Sequence, residues 1–105
     1  MKLDVLQENL AKSLSIVSRI VSSKAQLPIL SNILLTTDKG RLKISATNLE
    51  TSINYWIGAK IEEKGSTSIP AKILTEFVSS LPLEKVWLET KGNSLKIICG
   101  SYQAE

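Results

Sequence analysis

The sequence predicts an α+β domain in which two helices pack on antiparallel sheet. Three observations carry this prediction: two stretches with the spacing of amphipathic helices, hairpin signals after each of them, and the same order of elements in both halves of the chain. With 105 residues, 43% of them apolar, the chain has the size of one domain and needs no metal or disulfide to hold a core.

The first half opens with apolar residues at steps of three and four, from Leu6 to Val21, which predict an amphipathic helix. Alternating apolar residues around Asp38-Lys39-Gly40 then predict a β-hairpin, because these three residues are typical of a turn. The predicted elements are a strand over 2–5, a helix over 6–21, a polar loop over 22–28, a hairpin over 29–47 and a strand over 51–59.

The second half repeats these signals after a predicted turn over 62–65 and a short strand over 66–69. Pro70 is predicted to open a helix, since its missing N–H costs nothing at the first helical position, and Pro82 to stop it. The apolar stripe of that helix is Ile73, Leu74, Phe77, Val78 and Leu81. Another hairpin follows over 86–99, and a last strand starts near Tyr102.

Both halves therefore share the order strand, helix, hairpin, strand, which predicts a duplicated β-α-β-β-β unit. The first copy is placed at about 1–59 and the second at about 60–105. The last strand of the second copy is truncated at Glu105, so we expect the chain to be a fragment of a longer protein.

The composition argues against an enzyme and against a metal or cofactor site. There is no histidine and only one cysteine, so the usual proton shuttle, a Cys/His zinc site and an internal disulfide are all missing. Cys99 shares strand parity with Leu95 and Ile97 and is expected to be buried and inert. No apolar run is long enough to span a bilayer, which favours a soluble, cytoplasmic protein.

The net charge of +3 is mild, so only the placement of the cations can indicate a partner. Lys12 and Arg19 are seven residues apart and are expected on one polar helix face, Lys72 lies early in the second helix, and Lys24 lies on the loop between. Taken alone, this pattern is that of an ordinary solvated face. The aromatic residues Tyr55, Trp56, Trp87 and Tyr102 are not interleaved among lysines as a base-stacking surface would need, which favours packing over base stacking.

Three segments give the sequence a specific resemblance: LPILSNILL at 27–35, GRLKISATNLE at 40–50 and IPAKILTEFVSSLP at 69–82. From Met1 to Glu105 the chain resembles the amino-terminal domain of the bacterial DNA polymerase III β subunit family, the sliding clamps. The resemblance implies a DNA-clamp fold, three such domains in each protomer, and a homodimeric ring that encircles double-stranded DNA and tethers the replicative polymerase. It implies a processivity factor of DNA replication with no catalysis of its own.

The resemblance also implies functional residues and partners. Lys12 and Lys24 match positions where the family places DNA-facing basic residues, and Lys72 opens the second channel helix. Arg19 is added because of its predicted face. The polymerase and the clamp loader are expected to bind domains outside this chain. The alternative that the residues leave open is a free-standing small α+β module that binds single-stranded nucleic acid or protein through a sheet face.

Overall fold

The computed structural model describes residues 1–19, 32–47, 51–92 and 94–104. Within these ranges the chain forms two helices and nine strands. They are β1 (Lys2–Leu6), α1 (Gln7–Val17), β2 (Asn32–Asp38), β3 (Arg41–Thr47), β4 (Ser52–Gly58), β5 (Lys60–Glu63), β6 (Ser66–Pro70), α2 (Ala71–Ser79), β7 (Lys85–Lys91), β8 (Ser94–Cys99) and β9 (Tyr102–Ala104). Neither helix is long and apolar enough, in the part described, to cross a membrane.

The strands form two sheets, and every pair of neighbours is antiparallel. One sheet has the order β5-β1-β7-β8-β9 and the other has the order β4-β3-β2-β6. Two helices and two antiparallel sheets confirm the predicted α+β class.

The strand before each helix pairs with the hairpin of the other half. β1 lies beside β7, with Leu3 opposite Leu88, and β6 lies beside β2, with Thr67 opposite Leu35. The residue just before each of these strands accepts a similar backbone hydrogen bond from the hairpin of the other half. Thr90 N of β7 donates to Met1 O at 2.9 Å, and Thr37 N of β2 donates to Gly65 O at 3.0 Å. The two halves are therefore interlocked through exchanged strands, which the order of elements along the chain does not reveal. The proposed boundaries of the repeats, near 59, stay a prediction.

The chain passes from one sheet to the other between β4 and β5. The predicted turn over 62–65 is wrong in its first half, because Glu62 and Glu63 belong to β5. Ile61 lies opposite Leu3 of β1 and packs against the core. Pairing with β1 thus keeps this charged segment extended, and only residues 64–65 connect β5 to β6.

The helix ends differ slightly from the prediction. α1 ends at Val17, whereas the sequence predicted a helix to Val21. Residues 18–19 form a turn, and residues 20–21 lie outside the described ranges. Pro70 is the last residue of β6, and α2 begins at Ala71, so Pro70 precedes the helix as its N-cap.

A single apolar core fills the space between the helices and the inward faces of both sheets. Its fully buried members include Leu10 and Leu14 of α1, Leu74 and Val78 of α2, and Leu88 of β7. The predicted stripe of α2 is correct for Leu74, Val78 and Leu81, but Ile73 is 68% exposed. The β2–β3 turn is confirmed: Lys39 and Gly40 both have positive φ, as a two-residue hairpin turn requires.

Candidate nucleic-acid interface

The two helices lie next to each other and run in opposite directions. Gln7, the buried first residue of α1, donates a hydrogen bond from Nε2 to the carbonyl oxygen of Val78, near the end of α2, at 2.9 Å. The backbone N–H of Gln7 donates to the oxygen of Glu84 at 2.9 Å, so the start of α1 is satisfied by the segment that follows α2. These two bonds fix the start of one helix beside the end of the other.

One face of each helix is buried against the core, and the opposite face is exposed to solvent. Every third or fourth residue of α1 is buried, and Ser13 within that face donates from Oγ to the oxygen of Leu10 at 2.8 Å. The exposed side chains of the pair are those of Glu8, Asn9, Lys12, Ser15, Lys72, Ile73, Glu76 and Ser79. The pair therefore presents a mainly polar surface on the side opposite the core.

The structure places three of the four predicted cations at or near this surface. Lys12 is exposed in the middle of α1, and Lys72 is exposed as the second residue of α2. Arg19 is exposed too, but it lies in the turn beyond the helix, where its N–H donates to Ile16 O at 3.4 Å. The prediction that Arg19 shares a helical face with Lys12 is wrong because α1 stops at Val17. Lys24 lies outside the described residues.

Acidic residues are interspersed with these cations. Glu8 stands one helical turn before Lys12, and Glu76 stands one turn after Lys72. Because the helices are antiparallel, this spacing places Lys12 and Lys72 at similar positions along the common helix axis. Glu8 and Glu76 lie together nearer the start of α1 and the end of α2. Within the described ranges, none of the three cations forms an ion pair.

Such a surface suits loose electrostatic contact with a polyanion. Lysine and arginine on exposed helix faces reach phosphate oxygens without reading base edges. The neighbouring glutamates lower the total positive potential, which keeps binding weak and dependent on salt. The arrangement would hold a polyanion loosely and without reading its sequence.

A second basic group, which sequence reasoning missed, surrounds Trp56 on the outer face of the four-stranded sheet. The Arg41 guanidinium and the Lys43 ammonium lie 5.8 and 5.7 Å from the centre of the Trp56 ring, and Trp56 Nε1 donates to Asp38 Oδ2 at 2.9 Å. The detectable signal was alternation, which sets Lys43 and Trp56 on the outward side of paired strands.

This group is distinct from the helix surface and does not form a row of stacking platforms. Tyr55 points toward the core while its neighbour Trp56 points outward, and Trp87 belongs to the other sheet, where its Nε1 donates to Glu89 Oε1 at 3.1 Å. A single aromatic ring with cations over it argues against the alternative of single-stranded nucleic acid binding through a sheet face.

Cys99 is buried at the end of β8, as predicted. Its Sγ lies 3.9 Å from the carbonyl oxygen of Pro82, toward which the thiol can donate. Burial raises the pKa of the Cys99 thiol, and the carboxylate of Glu84 raises it further. The thiol is thus held in its neutral, unreactive form.

We expect Cys99 to react with iodoacetamide at least about tenfold more slowly in the folded protein than in urea, because the nucleophile is the thiolate. The same shift links stability to pH. Since the folded-state pKa is raised above the ordinary value of about 8.5, the unfolded chain ionises first, and stability falls as pH rises above that value. Urea titrations at several alkaline pH values should show a steeper loss in the wild type than in Cys99→Ala. Equal slopes, or equally fast alkylation in both states, would contradict the buried neutral thiol.

Across the described ranges, no cluster of three histidine, cysteine or acidic side chains could hold a metal ion.

The chain matches one protein family over nearly its whole length. The family is described as "DNA polymerase III beta subunit, N-terminal domain", and the match covers residues 1–104.

Individual relatives and solved structures agree with the family match. The chain is 40% identical over 106 residues to the beta sliding clamp of Synechococcus elongatus, covering 98% of this chain and 28% of the relative. The fold superimposes on the Caulobacter crescentus pol III beta structure with a TM-score of 0.94 at 36% identity, over 99% of this chain and 28% of that one. A Bacillus subtilis DNA polymerase sliding clamp gives a TM-score of 0.95 at 25% identity, over 99% and 30%. The chain therefore spans less than a third of the length of these relatives.

Proposed function

The chain belongs to the DNA polymerase III beta subunit family, as its N-terminal domain, and from this membership we propose that it works as part of a sliding clamp. In this role the protein is a processivity factor: a ring that encircles duplex DNA and tethers the replicative polymerase during replication. The names of the relatives support the proposal, since the Synechococcus elongatus and Streptomyces coelicolor proteins are both beta sliding clamps.

The observation that carries the proposal is the solvent face of the helix pair. Lys12 and Lys72 extend from adjacent antiparallel helices, and Arg19 lies just past the end of one of them. All three are exposed and, within the described ranges, unpaired by any carboxylate. We assign this face to the DNA side of the ring and include Lys24 in it from the family resemblance.

A ring that slides must attract the DNA without favouring any one position along the duplex. Contacts to phosphates supply attraction that is the same at every base pair, so moving the ring along the duplex breaks and remakes equal contacts. The glutamates interspersed on the same helices limit how strongly any one register is held. Enclosure by the ring then keeps the protein on DNA, and the cations only guide the duplex through the channel.

Several finer assignments belong to the same proposal. Residues 1–105 form the first domain of a longer, cytoplasmic, homodimeric protein, built from repeats at about 1–59 and 60–105. The domain itself is non-catalytic and uses no cofactor. The polymerase and the clamp loader bind parts of the protein outside this chain.

A domain exchange tests the proposal. Residues 1–104 of this chain replace the matching segment of the Synechococcus elongatus clamp, and the chimera is loaded onto nicked circular duplex DNA. We expect the chimera to stay on the circle through gel filtration and to leave once the DNA is cut, because enclosure and not affinity holds a ring in place.

The unaltered Synechococcus elongatus clamp is the control for loading and assembly. A chimera that dimerises like the control but is not retained on circles would contradict the proposal. Retention on linear and single-stranded DNA as strong as on circles would instead favour a module that binds single strands.

A further inference from the structure

Two cations on the outer side of the four-stranded sheet are held together without a carboxylate of their own. Arg41 and Lys43 lie two residues apart on β3, so both point to this side. Their charged groups lie 5.8 and 5.7 Å from the centre of the Trp56 ring, and neither forms an ion pair within the described ranges. The acidic side chain beside them, Asp38, accepts a hydrogen bond from Trp56 Nε1. The cluster therefore keeps an excess of positive charge on an exposed surface.

The outer side of the five-stranded sheet treats its cations differently. Asp4 of β1 lies directly opposite Lys60 of β5. Glu89 of β7 lies opposite Lys2 on one side and opposite Lys96 on the other. Cross-strand pairs of opposite charge stabilise a sheet, whereas like charges held close together do not. The four-stranded sheet carries its two cations without such cross-strand partners, so its outer side has charge that a ligand can complement.

An apolar groove adjoins the two cations. It holds about 410 Å³ on the same outer side, its lining atoms are mainly apolar, and Lys43 is its one charged lining residue. Leu34 lies within it, between Ser45 of β3 and Ser68 of β6 in the paired strands. Leu34 and Trp56 are 44% and 40% exposed. Two large apolar side chains are thus uncovered next to the cationic cluster.

The register of the sheet sets the spacing of a ligand. Leu34 lies opposite Ser45, which is two residues beyond Lys43 and four beyond Arg41 along β3. Side chains two residues apart on a strand are separated by about 7 Å, and an extended peptide lying along the sheet presents every second side chain at that same interval. Such a peptide would place an apolar side chain beside Leu34 and acidic ones at the second and fourth residues from it.

The chemistry of this surface fits a protein segment better than a nucleic acid. The cations are confined to one end of the surface, whereas a phosphate backbone carries charge at every step. Exposed aromatic and arginine side chains are typical of the residues that contribute most to protein–protein binding. The guanidinium of Arg41 can bind a carboxylate through two parallel hydrogen bonds. Its contact with Trp56 already orders it, which lowers the entropy lost on binding.

This side of the sheet faces away from the helix surface. α1 packs against β3 and β4 from the side of the core, so the outer side of the same strands points the opposite way. In a ring whose helix surface faces DNA, the groove therefore lies on the outside. That last step rests on the proposed function, whereas the cations and the groove do not.

We infer that the outer side of the four-stranded sheet, from Arg41 to Leu34, is a docking site for a short acidic segment of a partner protein. The segment binds in an extended conformation. Its apolar side chain enters the groove beside Leu34, and its two carboxylates lie beside Lys43 and Arg41.

Fluorescence polarisation with labelled peptides tests the inference. The probes are Gly-Leu-Ser-Asp-Ser-Asp-Gly and its reverse, because an extended segment can run in either direction. At least one of them should bind the 105-residue chain and the chimeric ring alike, without DNA. The same peptide with Lys in place of both Asp residues should bind at least about tenfold more weakly. Gly-Leu-Asp-Asp-Ser-Ser-Gly, which lacks the alternate spacing, should bind at least about threefold more weakly.

Variants of the protein locate the site. Arg41→Glu combined with Lys43→Glu should weaken binding at least about tenfold, because the peptide carboxylates are then repelled. Leu34→Ser, at an exposed position, should fold normally and weaken binding at least about threefold. The matched control Lys64→Glu with Lys91→Glu changes the net charge equally at two exposed lysines outside the groove and should bind like the wild type.

Several results would overturn the inference. They are no binding of either probe, binding that is indifferent to reversal of Arg41 and Lys43, and binding by the chain that is lost in the ring. Tighter binding of an oligothymidylate than of either peptide, lost in the same variants, would overturn it too, since the surface would then serve nucleic acid. A ring that binds the peptide but is not retained on circular DNA would support this docking site and contradict the proposed function.

Discussion

Reversing the three described cations of the helix surface, as Lys12→Glu, Arg19→Glu and Lys72→Glu in the chimeric ring, is expected to lower affinity for duplex DNA on the order of a hundredfold at 0.15 M salt. Each phosphate contact contributes about 0.9 to the slope of log affinity against log salt, so three contacts contribute about 2.7 per protomer. Repulsion between the new carboxylates and the phosphates adds to the loss. Polymerase runs on primed circles should shorten in parallel.

The measurement is the salt dependence of binding, together with product length under single-hit conditions. A matched control reverses three exposed lysines at turns and strand ends, as Lys39→Glu, Lys64→Glu and Lys91→Glu. It changes the net charge equally without altering a residue of either helix. Equal loss in both triple variants would mean that net charge alone matters, and the helix surface would lose its assignment.

Leu74→Ala is expected to lower the free energy of unfolding by about 2–5 kcal/mol, whereas Ile73→Ala should lower it by less than about 0.5 kcal/mol. The two residues are neighbours in α2, and the sequence sets both in one apolar stripe. In the structure Leu74 is 2% exposed and Ile73 is 68% exposed. Only the first substitution leaves a cavity in the core.

Urea unfolding of both variants, followed by circular dichroism, measures the difference. Similar losses in both variants would contradict the orientation of α2. A large loss confined to Ile73→Ala would mean that the helix turns its other side to the core.

The hairpins and their facing residues could be predicted from the sequence because they depend on local chemistry. The alternation of apolar and polar residues indicated which side of β3 and β4 faces the core. The Asp38-Lys39-Gly40 turn indicated where β2 ends and β3 begins. The end of α1 and the exposure of Ile73 were not predictable in this way. Both depend on how each helix packs against the rest of the fold, which periodicity within one helix does not record.

The sequence predicted which residues make up the candidate site better than it predicted how they are arranged in space. Lys12 and Lys72 are exposed on the helices where the sequence placed them. The helical face shared with Arg19 was wrong because the predicted helix ran to Val21, whereas α1 ends at Val17. The side-chain hydrogen bond between the two helices comes from the buried amide of Gln7, which the sequence presents as an ordinary polar residue. Nothing local distinguishes a glutamine that crosses to another helix from one in solvent.

The exchange of β1 and β6 between the halves governs how the chain can acquire its fold. Lys2 pairs with Glu63 on one side and with Glu89 on the other, so the first strand finds its neighbours only after β5 and then β7 have been made. Contacts this distant in sequence require large loops to close before they stabilise anything, and such topologies fold slowly. On a ribosome, synthesis of the first half leaves its opening strand unpaired, so stable structure forms late and in one cooperative step.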